Sequence, residues 1–209
     1  MFRGRGRSHY VSSAKSLVQY KYNKPEPKYK DGTSTNAVST PLSFFCTAID
    51  QGTAQSQRIG NQISKYALRL NYVTSPNASA TSGVIMRVMV IEDKFPNKTA
   101  LTATQLATLV LTNPNPTTAG VVSPAIPENF DRFRVYYDQQ HMIAPPTQDL
   151  SVTPHNVVVP IKSSSVYTGS TCADGSTMTR GALYVLILPS VGSAGPSLDI
   201  FWRLIYNDN

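Results

Sequence analysis

The chain has 209 residues, of which 41% are hydrophobic and only 15% charged, against roughly 25% charged in an ordinary soluble domain. That composition supplies a core of sandwich or barrel size under a charge-poor surface, and 42 serines and threonines fill the gap. No stretch approaches the ~18 apolar residues of a membrane span, the Met-Phe-Arg-Gly-Arg start has no signal-peptide h-region, and two cysteines cannot form a disulfide framework.

The net charge of +7 sits at one end of the chain. Residues 1–30 carry Arg3, Arg5, Arg7, Lys15, Lys21, Lys24, Lys28 and Lys30 against Glu26 alone, whereas residues 31–209 are neutral. The segment has few aliphatic residues and no sustained period, so a flexible basic N-terminal arm is expected over residues 1–39. Guanidinium groups on the Arg-Gly alternation suit phosphates of no fixed register. Tyr20 and Tyr22, interleaved with the lysines, offer faces on which unpaired bases stack. These eight cations and two tyrosines are the candidate nucleic-acid-binding residues. A solvated tail that aids solubility is the plain alternative, and an anionic membrane surface is a weaker one for want of an amphipathic helix.

From Thr40 onward the chain reads as all-β, with short alternating runs between Pro, Gly, Asn and Ser-rich turns. Leu42–Ile49 is the first expected strand. Gln62–Thr74 follows, with Leu68, Leu70 and Tyr72 opposite Arg69 and Asn71. Val84–Glu92 is nearly all apolar apart from Arg87, as a strand buried on both faces would be. A long excursion then holds one expected helix, which opens on the capping box Thr102-Ala-Thr-Gln105 and stops before Asn113-Pro114-Asn115-Pro116. Phe133–Asp138 and Met142–Ala144 are read as two short strands. Val152–Lys162 is confined to an edge or to bulged pairing by Pro154 and Pro160. Leu183–Leu188 and Leu198–Tyr206 close the chain, and in the last Leu198, Ile200, Trp202, Leu204 and Tyr206 share a face. About eight antiparallel strands point to a single jelly-roll sandwich over residues 40–209.

Chemistry is harder to find. His9, His141 and His155 are the only histidines, too few and too far apart for the several-His site of a jelly-roll metalloenzyme. No nucleophile elbow is present. Cys46 and Cys172 could form one disulfide, and two buried free thiols are the favoured expectation. Glu92, Asp93 and Asp131 are weighed as a calcium seat and set below an ordinary structural role. The expectation is a protein that binds and assembles, with no enzymatic activity, no metal and no cofactor.

Three segments carry a resemblance. Gln57-Arg58-Ile59-Gly60-Asn61-Gln62-Ile63, then Val88-Met89-Val90-Ile91 with Asp93-Lys94-Phe95-Pro96-Asn97, then Asn129-Phe130-Asp131-Arg132-Phe133-Arg134-Val135 with Tyr136-Tyr137-Asp138 together resemble the capsid proteins of small circular single-stranded DNA viruses that encode a replication initiator. Satellite tobacco necrosis virus and geminivirus coat proteins carry similar patterns. The likeness spans about Gln51 to Ile143. It implies a jelly-roll subunit, commonly sixty copies in an icosahedral virion shell, with the basic arm facing the genome and assembly in the host nucleus open.

This arm is sparser than is usual in that family. Sixty arms at +7 supply about 420 positive charges, whereas a gene for this chain alone needs about 627 nucleotides with roughly one phosphate charge each. Counterions or inward-facing basic side chains would carry the remainder, and Arg58, Lys65 and Arg69 are the candidates, weighed against plain exposure or pairing with an acid. A β-sandwich that binds nucleic acid or another polyanion as a monomer or small oligomer is the alternative function.

Overall fold

The computed structural model describes residues 27–115, 117–147, 152–172, 174–191 and 195–208. Nine strands occur among them: β1 (Lys28–Ala37), β2 (Leu42–Phe45), β3 (Gln62–Ser75), β4 (Val84–Asp93), β5 (Phe133–Ile143), β6 (Thr153–Tyr167), β7 (Met178–Arg180), β8 (Ala182–Pro189) and β9 (Ser197–Asp208). They form a five-stranded sheet in the order β1-β9-β3-β6-β7 and a four-stranded sheet in the order β2-β8-β4-β5. All pairings are antiparallel. Setting aside the three-residue β7, eight strands divide between two four-stranded sheets in jelly-roll order, successive strands changing sheet except at the β4–β5 pair.

Alternation builds the interface between the sheets. Leu68, Leu70 and Tyr72 of β3 and all five same-face residues of β9 are buried, while Arg69 and Asn71 face solvent. Every residue of β8 is buried, as is β4 apart from half-buried Ile85. Both faces of β4 and β8 are therefore covered, one by the five-stranded sheet and the other by the 94–132 excursion. Its helix α1 (Ala103–Val110) begins at the expected capping box on Thr102 and buries Leu106, Ala107 and Val110. A second, four-residue helix α2 (Thr118–Val121) was not expected and buries Val121. Arg87 projects from β4 into this cover, bonding the Asp138 carboxylate at 2.6–2.7 Å and the carbonyls of Val121 and Ser123.

Two expectations need correction. Residues 28–37 are not arm but the first jelly-roll strand, paired with β9 along ten register positions from Lys28↔Tyr206 to Ala37↔Ser197. The strand is polar on both faces, so partner backbone and not its own apolar stripe holds it. Phe133–Asp138 and Met142–Ala144 are one strand, β5. Asp138-Gln139-Gln140 lies on a sheet edge, where polar residues are tolerated. The expected total of eight, against nine observed, thus came from two strands missed, β1 and β7, and one split. β6 behaves as its prolines require: beyond β3 it meets only β7, at Val166 and Tyr167.

Candidate nucleic-acid interface

Arg3, Arg5, Arg7, Lys15, Tyr20, Lys21, Tyr22 and Lys24 lie outside the described residues. Lys28 and Lys30 lie inside, on β1. The Lys28 ammonium is 2.7 Å from the Asp208 carboxylate and donates to the Gln57 carbonyl at 2.8 Å. It is committed to the sandwich and is a poor phosphate ligand, which corrects its place in the expected set. Lys30 is half-buried, with no ion pair among the described residues. The strand ties the N-terminal segment to the edge of the five-stranded sheet, and the cations of residues 1–26 number six against Glu26.

The three basic residues offered as body contacts divide sharply. Arg58 is fully buried. Its guanidinium donates to the carbonyls of Ile49 (3.1 Å), Gly60 (2.5 Å) and Gly169, and lies 4.2 Å from the Tyr167 ring centroid. Here the cation is a clamp that fixes the 49–61 loop to the end of β6, and it cannot reach a ligand. Lys65 is buried as well, crossing the sandwich from β3 to Glu92 on β4 at 2.8 Å, with further bonds to Ser165 and the Gly181 carbonyl. Only Arg69 is exposed. It sits on the outer face of the five-stranded sheet beside Arg203 of β9 and Val158 of β6.

Arg203 is itself occupied. It makes a two-pronged bond to Asp31 at 2.7 Å and lies 4.4 Å from the Tyr29 ring centroid. The carboxylate holds its guanidinium above the ordinary arginine range, chiefly through those bonds. β1 therefore docks on β9 by a charged staple as well as by backbone pairing.

Glu92 and Asp93 cannot share a calcium ion, because adjacent strand residues face opposite ways. Glu92 points inward, accepting from Lys65, Ser163 (2.6 Å) and Tyr136 (2.8 Å). Burial would raise its carboxyl, but Lys65 and those donors outweigh it and hold the group below the usual carboxylate range. Asp93 lies on the opposite face, fully buried under the 94–132 excursion, where it pairs with Arg132 at 2.7 Å. Among the described residues no three His, Cys, Asp or Glu side chains gather as a metal site, and no helix is long and apolar enough to cross a membrane.

The distant histidines meet inside the sandwich. His141 Nε2 is 2.7 Å from the Tyr72 hydroxyl, which also lies 3.2 Å from that of Tyr137. The His141 and His155 rings are 4.2 Å apart. Burial lowers the pKa of both, and His155 lowers that of His141 further. Register sets His155 beside Tyr72, and the packing of one sheet on the other brings His141 to both, so no spacing in the sequence announces the cluster. Cys46 and Cys172 are both buried and free.

No family model matches the chain, and no curated protein matches it. Among solved structures it is similar to a structure of infectious bursal disease virus, Gx strain, at 12% identity and a TM-score of 0.25, covering 88% of this chain and 36% of the other. A second likeness is to the crystal structure of the T13 IBDV viral particle, at 11% identity and a TM-score of 0.19, covering 88% and 40%. The chain thus spans well under half the length of these chains, and at such scores neither likeness carries an argument about function.

Proposed function

We propose that this chain is a capsid subunit that assembles with copies of itself into a closed icosahedral shell and packages single-stranded DNA. The observation that carries the reading is a jelly-roll sandwich whose first strand is preceded by a segment bearing six of the chain's cations against one acid. The resemblance in the Gln57–Ile63, Val88–Asn97 and Asn129–Asp138 segments supports the same conclusion. Its work is binding and assembly, without catalysis, metal or cofactor.

The surface of the sandwich suits lateral contact. Cations and acids of the body pair with one another in the five ion pairs among the described residues. Large apolar side chains stay exposed, including Met142 at 84% and Val158 at 63%. Contact cores between proteins are depleted in charge in this way. Nucleic acid gathered by the N-terminal cations raises local subunit concentration, so weak contacts between neighbours become collectively strong. Sequence selectivity is slight, because phosphate contacts and stacking carry little base information.

Negative-stain microscopy of the purified full chain tests the assembly. Uniform closed particles are expected. Monodisperse small species at every salt concentration would favour the polyanion-binding sandwich instead.

A further inference from the structure

Residues on or beside four strands converge on a second basic feature, separate from the N-terminal segment. Lys94 follows β4, Arg134 lies on β5, Lys162 on β6 and Arg180 on β7, and together they line an open cavity of about 350 Å³. Glu92 is the one acid in its wall, and its charge is taken by Lys65. Lys94 donates to the carbonyls of Phe130 (2.8 Å) and Asp131 (3.1 Å), which leaves its charge uncancelled. Arg134 is stacked 4.8 Å from the Tyr136 ring centroid. Lys162 and Arg180 are exposed, and their side chains have neither an ion pair nor a hydrogen bond among the described residues. Arg180 is close enough to Lys65 for its charge to disfavour the buried ammonium.

Four cations around one small space repel one another, and an anion between them relieves that repulsion. Phe95 adds a different chemistry. It lines the same cavity, and 61% of it is exposed to solvent. An apolar ring beside a cluster of uncancelled cations matches a nucleotide, whose phosphate takes the charges and whose unpaired base takes the ring. The volume fits about one nucleotide unit, with the strand continuing across the surface on either side.

We propose that the cavity bounded by Lys94, Arg134, Lys162, Arg180 and Phe95 binds a phosphodiester unit of single-stranded nucleic acid. This rests on the packaging reading above. It gives the shell body a share of the genome charge that the N-terminal segment leaves uncovered, and it moves that share from Arg58 and Lys65 to side chains that can reach a ligand.

The test uses the full chain with Arg3, Arg5, Arg7, Lys15, Lys21 and Lys24 all changed to Ala, so that the N-terminal cations cannot mask the cavity. Binding of fluorescent thymidine trinucleotide is followed against salt, with inorganic phosphate as a second probe. Adding Lys162→Ala and Arg180→Ala should lower the steepness of log K against log salt by up to about 0.7, the loss of one neutralised phosphate on a single strand. Both side chains are exposed and lie among like charges, so the thermal unfolding temperature should not fall. Phe95→Ala should weaken the trinucleotide about fivefold or more and leave inorganic phosphate unaffected. An unchanged salt slope in the Lys162/Arg180 variant, or equal affinity for trinucleotide and inorganic phosphate, would overturn the proposal. Nuclease protection in the otherwise unaltered chain is read separately, so failure of the cavity and failure of packaging are told apart.

Discussion

Replacing Lys65 by Met removes the cation that joins the two sheets while keeping most of its aliphatic stem. Glu92 is then left buried with Ser163 and Tyr136 as donors and no cation in contact. Stranding one member of a buried pair costs about 3–5 kcal/mol, a large part of the 5–15 kcal/mol typical of a folded domain. The pH dependence changes too. In the parent chain the Glu92 carboxyl is held low, so the unfolded chain takes up a proton first on acidification. Stability is therefore full above the ordinary carboxylate range and is lost as pH falls through and below it. In Lys65→Met burial acts on Glu92 against only the Ser163 and Tyr136 hydrogen bonds, and protonation relieves the stranded charge, so the deficit should narrow toward low pH. Urea unfolding followed by Trp202, the single tryptophan and a buried one, measures both quantities. The double variant Lys65→Met/Glu92→Leu should be more stable than Lys65→Met alone. If the two substitutions add as independent losses, the two groups do not interact and the reasoning fails.

Arg58→Met should cost about 3 kcal/mol or more by orphaning the carbonyls of Ile49, Gly60 and Gly169, and hydrogen exchange in the 49–61 loop should quicken. An unchanged exchange rate would show that Arg58 is no clamp. The folded pKa values of His141 and His155 are depressed, so stability should fall as pH drops from about 6.5 toward those values and then level off. The variant His141→Gln/His155→Gln should flatten melting temperature against pH over that window, and a retained slope would place the titrating group elsewhere. Burial pushes the Cys46 thiol far up and the Cys172 thiol up. Neither should react with iodoacetamide at pH 8 until the chain unfolds, and prompt labelling of the native protein would contradict their burial.

The legible parts of the fold were those where apolar alternation met turn chemistry. β9, β3 and the capping box of α1 follow from residues a few positions apart. β1 was illegible for the opposite reason: Lys-Tyr-Lys-Asp-Gly-Thr-Ser-Thr-Asn-Ala has no apolar face, and its partner strand lies some 170 positions away. Gly32 shows the fit, since a Cβ there would run into the Trp202 indole. The basic residues were harder still. Arg58 and Lys65 look like surface cations until the carbonyls of Gly169 and Gly181, more than a hundred positions distant, turn toward them. The Lys94, Arg134, Lys162 and Arg180 cluster was missed because each residue is unremarkable alone and only the sheet order joins them.

In the proposed function, positive charge ahead of a jelly-roll sandwich draws single-stranded DNA into a shell built of many copies. This is tested most directly by recovering nucleic acid from purified particles after nuclease treatment, for the natural chain and for the variant with its six N-terminal cations replaced by Ala. The account predicts protected single-stranded DNA, sensitive to DNase once the particles are opened, in the first and a severe loss of it in the second. Equal protection in both, or none in either, would contradict it.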